Sequence, residues 1–349
     1  MSLLFLMPNW KDAYGGWMGQ MMENISDYIA AIAVKNSMGE KVWKSDVPVF
    51  SINPFEHEIR VFSKVFGLVG LSLRKSRPQP DRILRSILRS QPIDRVFRQY
   101  GEYAVNFMNL WRETDVPLYI HFHGYDLTFD LRLHEKPQQR RFKENYLDNL
   151  CELSKRATFI ANSNFTKEKL SDAGITANNI KVKYFGITLP DNKHIHEKTS
   201  GVQILHLGRL VDFKSPDRTI RAFEIAKNKG LDGELILAGD GPLRSMCELQ
   251  RVRSPYRDSI QILGNLNYPE ARRLLFTTDI FTAHNITGEI TKQPECFGVS
   301  ILEAMSFGIP VVGTKHGGIL ESVIPGETGI LNEPGDLEAQ AEAFLGLAQ

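Results

Sequence analysis

Cysteine is scarce in this sequence: Cys151, Cys247 and Cys296 are the only three in 349 residues, at unrelated spacings. That excludes a disulfide framework and a zinc site, and it points to a reducing cytoplasm. Long apolar runs are missing too, since no window approaches the ~20 apolar residues that a spanning helix needs. The N-terminal run Leu3–Met7 meets Pro8 and Lys11 at once, so it reads as a strand rather than a signal peptide. Neither sign of charge dominates: 42 Lys and Arg face 41 Asp and Glu, a net of +1. No nucleic-acid partner is expected. What remains is a soluble globular composition, 42% hydrophobic and 24% charged. The chain is too long for one typical core and fits two domains.

The balanced charge hides an asymmetry. Residues 1–190 carry 26 Lys and Arg against 20 Asp and Glu, a net of +6. Residues 191–349 carry 16 against 21, a net of −5, and the two halves together give +1. This supports a division near 190, and it makes the first half the better candidate for an anionic surface or substrate.

The most informative stretch is Pro294–Met305, a turn running straight into a helix that Gly308 and Pro310 close. Helix N-termini carry unpaired N–H groups and partial positive charge, so such a turn is a ready anion site. Glu303 lies among Val299, Ile301, Leu302, Ala304 and Met305, neighbours that favour burial. A partly buried carboxylate needs donors or shifts its pKa. Vicinal hydroxyls of a sugar or ribose are such donors, and Glu295 at the turn can reach a second set. The plainer alternative is a strand-turn-helix unit with one solvated and one surface glutamate.

In the first half, the Ser2–Met7 strand, the glycines Gly15 and Gly16, and a helix through Met18, Met21, Met22 and Ile25 follow one another. Strand, glycine turn and helix bring backbone close to a ligand in α/β folds, although an ordinary turn reads the same way. Further strands are expected at Ile29–Val34, Val47–Ser51 and Ile93–Tyr100, then a helix over Glu102–Trp111 and a buried strand at Pro117–His121. That strand opens on His121–Asp126, where His123 is placed to touch a substrate. His121 and His123 share a face only if the strand continues through both. A charged helix (Lys136–Lys155), a strand at Thr158–Ala161, a helix from Thr166 to Gly174 and a strand at Ile180–Tyr184 follow, with Pro190–Ser200 as linker. Arg60–Ser90 is basic and amphipathic. Ile83, Leu84, Ile87 and Leu88 form one stripe, and Arg82, Arg85 and Arg89 the other side. It suits either an anionic membrane or a core-facing helix with a solvated Arg face.

In the second half, the strand Val202–Leu207 opens on Gly208, Arg209 and Lys214, a planar fork and a point charge suited to neighbouring phosphates. Gly233–Leu237 ends in Gly239–Asp240–Gly241–Pro242. Ile260–Leu263 leads to Gly264–Leu266, where a flat base can lie against backbone. Strands at Asp279–Phe281 and Val311–Gly313, turns at Gly317–Gly318 and Gly326–Gly329, and a helix at Glu338–Leu347 complete the chain. Strand-helix alternation throughout predicts α/β with a doubly wound parallel sheet in each half.

With these residues placed, the second half resembles the family 4 retaining glycosyltransferases of the GT-B fold. The likeness rests on Gly208–Arg209 with Lys214, Gly239–Pro242, Gly264 before Leu266, Glu295 with Glu303, Gly317–Gly318, Glu321 and Thr328–Gly329. It covers nearly all of 200–340. The first half matches more loosely, at Gly15–Gly16, His123–Gly124, Asn162–Ser163 and Gly186. The resemblance implies two Rossmann-like domains facing a cleft, 1–192 taking the acceptor and 199–349 the nucleotide-sugar.

It further implies catalytic roles for His123, Arg209, Lys214 and Glu295. Arg209 and Lys214 hold the diphosphate, Glu295 holds the transferred sugar, and His123 sits near the anomeric centre. Gly15, Gly16, Gly208, Gly264, Phe297, Gly298, Val299 and Glu303 bind the donor, with Glu303 on the ribose. No cofactor is expected. The substrate is a UDP-, GDP- or ADP-sugar, and the acceptor a glycan or lipid-linked sugar. Retention follows from same-face attack, and the sequence holds no Asp-x-Asp pair, which fits metal-independent transfer. The expected location is cytoplasmic, and peripheral on the inner face of the plasma membrane if Arg60–Ser90 binds it. Members normally continue into a C-terminal helix that crosses back to the first domain, whereas this chain ends at Gln349. Two other functions fit the same residues: a GT-B nucleotide-sugar epimerase and a non-catalytic nucleotide-sugar binder.

Overall fold

The computed structural model describes residues 1–9, 16–36, 42–44, 46–52, 80–128, 145–190 and 201–349. The first sheet is built from β1 (Leu3–Asn9), β2 (Ile29–Asn36), β3 (Val42–Trp43), β4 (Val47–Ser51), β5 (Arg95–Gln99), β6 (Leu118–Phe122), β7 (Ala157–Ala161) and β8 (Ile180–Val182). Its order is β3-β4-β2-β1-β5-β6-β7-β8. The central pairs run parallel, and the short β3 turns back antiparallel on β4. Leu3, Phe5 and Met7 on one face of β1 pack with Met18 and Met22 of the helix Gly16–Asn24. Leu4 and Leu6 on the other face are equally buried. Burial on both faces is why β1 reads as an unbroken apolar run.

The second sheet holds β9 (Val202–Leu207), β10 (Gly233–Ala238), β11 (Ile260–Gly264), β12 (Ile280–Ala283), β13 (Val311–Thr314) and β14 (Gly329–Asn332). Its order is β11-β10-β9-β12-β13-β14, every pair parallel. The strand order reverses between β9 and β12, which makes their carboxyl ends a topological switch point, where open α/β sheets bind ligands. Ile204 faces a cluster with Leu210, Ile220, Phe223 and Leu237, while its neighbour Leu205 faces Phe281, Ile301, Ala304 and Val311. The expected class, α/β with doubly wound parallel sheets, is the one observed.

The described residues form two compact units. The first takes those of Met1–Phe122, Phe142–Ala161 and Leu170–Lys181; the second takes those of His123–Arg141, Asn162–Lys169 and Val182–Gln349. Segments preceding 190 are thus built into the second unit.

Several elements differ from the sequence reading. The single helix expected over Glu102–Trp111 is two, Gly101–Val105 and Met108–Glu113. The Trp111 indole donates to the Ala104 carbonyl at 2.8 Å, holding the break closed. Tyr184 lies beyond β8, which stops at Val182. Gly329, read as a turn, opens β14: a Cβ there would lie 2.2 Å from the Val311 carbonyl, so glycine is what lets the strand pair. In the basic amphipathic region, Pro80–Ser90 is a helix whose Leu84 and Ile87 are buried, and Arg85 pairs with Glu113. Residues 60–79 and 136–144 lie outside the described residues. Among the described residues no helix is long and apolar enough to cross a membrane.

His206 on β9 is 2% exposed, and both its ring nitrogens are buried without a hydrogen-bond partner among the described residues. Burial, helped by the nearby Lys214, holds its pKa down at about 3. The native state therefore keeps this imidazole neutral while the unfolded chain protonates it below about 6.5. Its contribution is fully present above that value and is lost as pH falls toward 3. His206→Leu should flatten the decline in urea stability between pH 6.5 and 5.0 by ~2 kcal/mol. A variant with the wild-type pH slope would show that this histidine is not the titrating group.

Candidate active site

The site forms where β9 and β12 part. β9 ends in Gly208, whose N–H donates to the Ala238 carbonyl at 2.9 Å, and Leu210 N–H donates to the Asp240 carbonyl at 2.9 Å. Those bonds bring the turns after β9 and β10 into backbone contact. Gly239 permits it: its φ is +145°, and a Cβ would fall 1.8 Å from the Gly208 carbonyl. The turn Asp212–Lys214 follows, and the Asp212 carboxylate holds it in place. It accepts from the N–H groups of Ile290 and Thr291 at 2.9 Å and from the Thr291 hydroxyl at 2.8 Å. Asp212 thereby ties the loop after β12 to the cation-bearing turn.

Arg209 and Lys214 flank one ring. Their cationic groups lie 5.7 Å from the Phe213 centroid, Arg209 exposed and Lys214 largely buried. Lys214 Nζ donates to Glu295 Oε2 at 2.7 Å, with side-chain exposures of 18% and 15%. Asn285, just past β12, donates to the same oxygen at 3.4 Å. Burial pushes the Glu295 carboxyl upward, but Lys214 and the Phe297 backbone N–H outweigh it and hold the pKa below the usual range.

The strap Pro294–Phe297 rests on Gly317–Gly318. Gly318 N–H donates to the Glu295 carbonyl at 2.9 Å, and a Cβ on either glycine would lie within about 2 Å of the strap's carbonyl oxygens (2.1 and 1.9 Å). Beyond Phe297, Gly298 turns left-handed at φ +81° and starts the helix Val299–Ser306, whose N-cap has no side-chain hydrogen bond and whose first turn has no acid. On that helix Glu303 is half-buried. Burial raises its carboxyl to about 7, with Arg272 opposing the shift.

The second unit also carries His123. It lies past the end of β6, so it does not share a strand face with His121, which is buried in β6. The His123 ring stacks on Phe185 at 5.5 Å, Phe185 meets Phe297 edge-on at 5.7 Å, and Tyr184 stacks on Phe297 at 5.6 Å. This aromatic ladder links His123 to the strap that bears Glu295. Gly124, at φ +97°, lies so close to Cys296 that a Cβ would meet its sulfur at 2.4 Å.

The structure thus brings together Gly208, Arg209, Lys214, Glu295, Phe297, Gly298 and Val299, and joins His123 to them through Phe185. Gly264 is covered by the Arg244 guanidinium, 2.9 Å from where its Cβ would be, so the face expected to receive a flat base is occupied by a planar cation. Gly16, at φ +60°, starts its helix in the first unit, and Gly15 lies outside the described residues. Sequence reading missed Asp212, Asn285 and His316. His316 donates to or accepts from the Thr287 hydroxyl at 3.0 Å. Burial lowers its pKa while Glu295 acts the other way. A lone Asp, Asn or His in a loop gives no local signal; only pairing across the fold identifies it.

Residues 47–189 match the model described as Glycosyltransferase Family 4, and residues 190–348 match Glycosyl transferases group 1. The chain is 28% identical over 233 residues to the amylovoran biosynthesis glycosyltransferase AmsK of Erwinia amylovora, covering 65% of this chain and 54% of AmsK. It is 31% identical over 146 residues to the N-acetyl-alpha-D-glucosaminyl L-malate synthase of Bacillus anthracis, covering 41% and 35%. It spans about half the length of the curated relatives it matches. Among solved structures, Anabaena Alr3699/HepE in complex with UDP superposes with a TM-score of 0.69 at 20% identity, covering 99% of this chain and 89% of that one. S. aureus TarM gives 0.71 at 11%, covering 99% and 92%. The likeness shows a shared fold, the GT-B architecture.

Glu303 supplies a test of its burial. Its folded pKa of about 7 lies above the unfolded value of 4.5, so its stabilising balance is present at low pH and is lost as pH rises through 7. Glu303→Gln should therefore be more stable than wild type at pH 8, by ~2 kcal/mol, and indistinguishable at pH 4.5. Equal melting temperatures at both pH values would mean the carboxylate is already satisfied.

Proposed function

Because this chain belongs to the family 4, group 1 glycosyltransferases, we propose that it moves a sugar, with retention, from a nucleotide-sugar to a glycan or lipid-linked acceptor in polysaccharide or glycolipid biosynthesis. The observation that carries this reading is the convergence of Arg209, Lys214 and the open helix N-terminus at Gly298–Val299 on one switch point, with Glu295 between them. Residues 199–349 take the donor and 1–192 the acceptor.

Arg209 and Lys214 bind the diphosphate. One of the three ammonium donors of Lys214 is spent on Glu295, which aims the group and leaves the others for phosphate oxygens. Glu295 and its Asn285 neighbour read hydroxyls of the transferred sugar, Glu303 reads the ribose, and the N–H groups at Gly298 and Val299 meet phosphate. Negative charge grows on the departing diphosphate, so cations and helix N-terminus stabilise the transition state more than the bound donor. The incoming hydroxyl attacks from the face the diphosphate leaves, and a phosphate oxygen takes its proton. His123, held by Phe185, lies at the reacting carbon. The charge is met by protein groups and the sequence has no Asp-x-Asp pair, which supports metal-independent transfer. UDP, held in the HepE structures, is the first nucleotide to try, alongside GDP and ADP.

Arg209→Ala and Lys214→Ala should each lower transfer ~10²–10³-fold, while binding of the phosphate-free nucleoside stays within about twofold. Equal loss of nucleoside affinity would indicate misfolding and remove the clamp from the reading. Donor epimerised without acceptor, seen by NMR, would assign the epimerase instead.

The exposed Arg82 and Arg89 of the Pro80–Ser90 helix support contact with an anionic membrane surface. Arg82→Gln with Arg89→Gln should weaken sedimentation with anionic vesicles at low salt, each arginine contributing about 1 kcal/mol, and leave nucleotide binding intact. Absence of vesicle binding by the wild type would leave only the core-facing reading of the helix.

A further inference from the structure

Arg98 is a charge that the described part of the fold does not account for. It lies on β5 one residue before the strand ends, in register with Leu6 of β1 and Ile120 of β6. It is 1% exposed, and its Nε and Nη1 are buried without a hydrogen-bond partner among the described residues. Among those residues no carboxylate pairs with it; its guanidinium lies 5.2 Å from the Tyr103 ring and 5.6 Å from Phe107. Burial lowers its pKa to about 9, which still leaves it charged at neutral pH. Aromatic faces offset only part of the cost of such a charge.

The backbone beside it is strained as well. Tyr100 has φ +65°, a left-handed conformation that a bulky residue rarely adopts, with its N–H donating to the His121 carbonyl at 2.9 Å. Gly101 follows, where a Cβ would meet the Phe122 ring at 2.4 Å. A costly charge and a costly turn thus sit together at the carboxyl edge of a central parallel strand, the edge where such sheets bind ligands. Features that weaken a fold and gather at one such edge mark a site.

We propose that Arg98 receives an anionic group, phosphate or carboxylate, carried by the acceptor. A guanidinium is a planar fork that matches two oxygens of either group, its Nε and Nη1 are unpartnered among the described residues, and the rings of Tyr103 and Phe107 flank it. The proposal rests on the transferase reading only in calling the bound molecule an acceptor.

Arg98→Met keeps the side chain's bulk and removes its charge. Wild type and variant are titrated calorimetrically with glucose 6-phosphate, glucuronate and glucose. Any binding at the cation pair of the second unit is common to both proteins, so their difference isolates Arg98. One anionic sugar should bind the variant at least about tenfold more weakly, with glucose unaffected. Loss of the phosphate sugar identifies a phosphoryl-bearing acceptor, loss of the uronate an acidic-sugar one. Without anion the variant should melt no lower than wild type, because an uncompensated charge is gone. Arg98→Lys, which keeps the charge and loses the fork, should show the same preference lost in part, and it carries the comparison if the methionine variant does not fold. Equal affinities for all three sugars, or a variant that melts lower and binds both anions as wild type does, would overturn the proposal. Donor turnover by the wild type is followed in parallel: its absence sinks the transferase reading, while an anion difference stands without it.

Discussion

Lys214 and Glu295 lie 2.7 Å apart with side chains only 18% and 15% exposed, and the arrangement of the second unit follows from keeping the two there. An ion pair mostly out of solvent is costly unless its geometry is good and its remaining valences are filled. Three devices meet that demand. Asp212 fixes the turn that carries Lys214 by accepting from Ile290 and Thr291. Gly317 and Gly318 let the strap bearing Glu295 lie against backbone where side chains would collide. Asn285, on the same oxygen as Lys214, and the Phe297 N–H add two further donors to the carboxylate.

The same strap is the meeting point for segments far apart in sequence. Ser163 donates to the Cys296 carbonyl at 2.7 Å, and Tyr184 stacks on Phe297. Glu321 accepts from the Asn164 and Phe165 N–H groups at 2.8 and 2.7 Å, capping the helix Asn164–Asp172, and from the Tyr184 hydroxyl at 2.9 Å. One carboxylate thus satisfies a helix N-terminus and anchors the aromatic ladder that holds His123. Glu295 and the histidine proposed for the reacting carbon are therefore not independent parts, because a shift of Phe297 reaches both.

Stability is surrendered at identifiable places. Among the described residues, His206 keeps two unpaired ring nitrogens near Lys214, and Arg98 is buried without a counter-ion. Glu303 is buried enough to be half-protonated near neutrality. Under the proposed readings, Arg98 and Glu303 each find a partner on a ligand. His206 has a simpler reading: a neutral ring there fills the space near Lys214 without adding a second positive charge to it.

Fold class and most of the proposed donor side are legible in local pattern. Periodic apolar runs broken by glycine turns specify parallel strands buried on both faces, and glycines at Gly239 and Gly317–Gly318 mark close backbone approach, where a side chain would collide. The spacing of Glu295, on the strap before a helix, and Glu303, within that helix, is legible for the same local reason. What depends on distant partners is settled only by packing. Whether Lys214 pairs with a carboxylate, whether Asp212 and Asn285 matter, and where Glu321 points all rest on residues tens of positions away. Arg98 shows the limit most plainly. In sequence it is one more arginine in a basic half, and only burial between β1 and β6, with no carboxylate for its charge among the described residues, sets it apart.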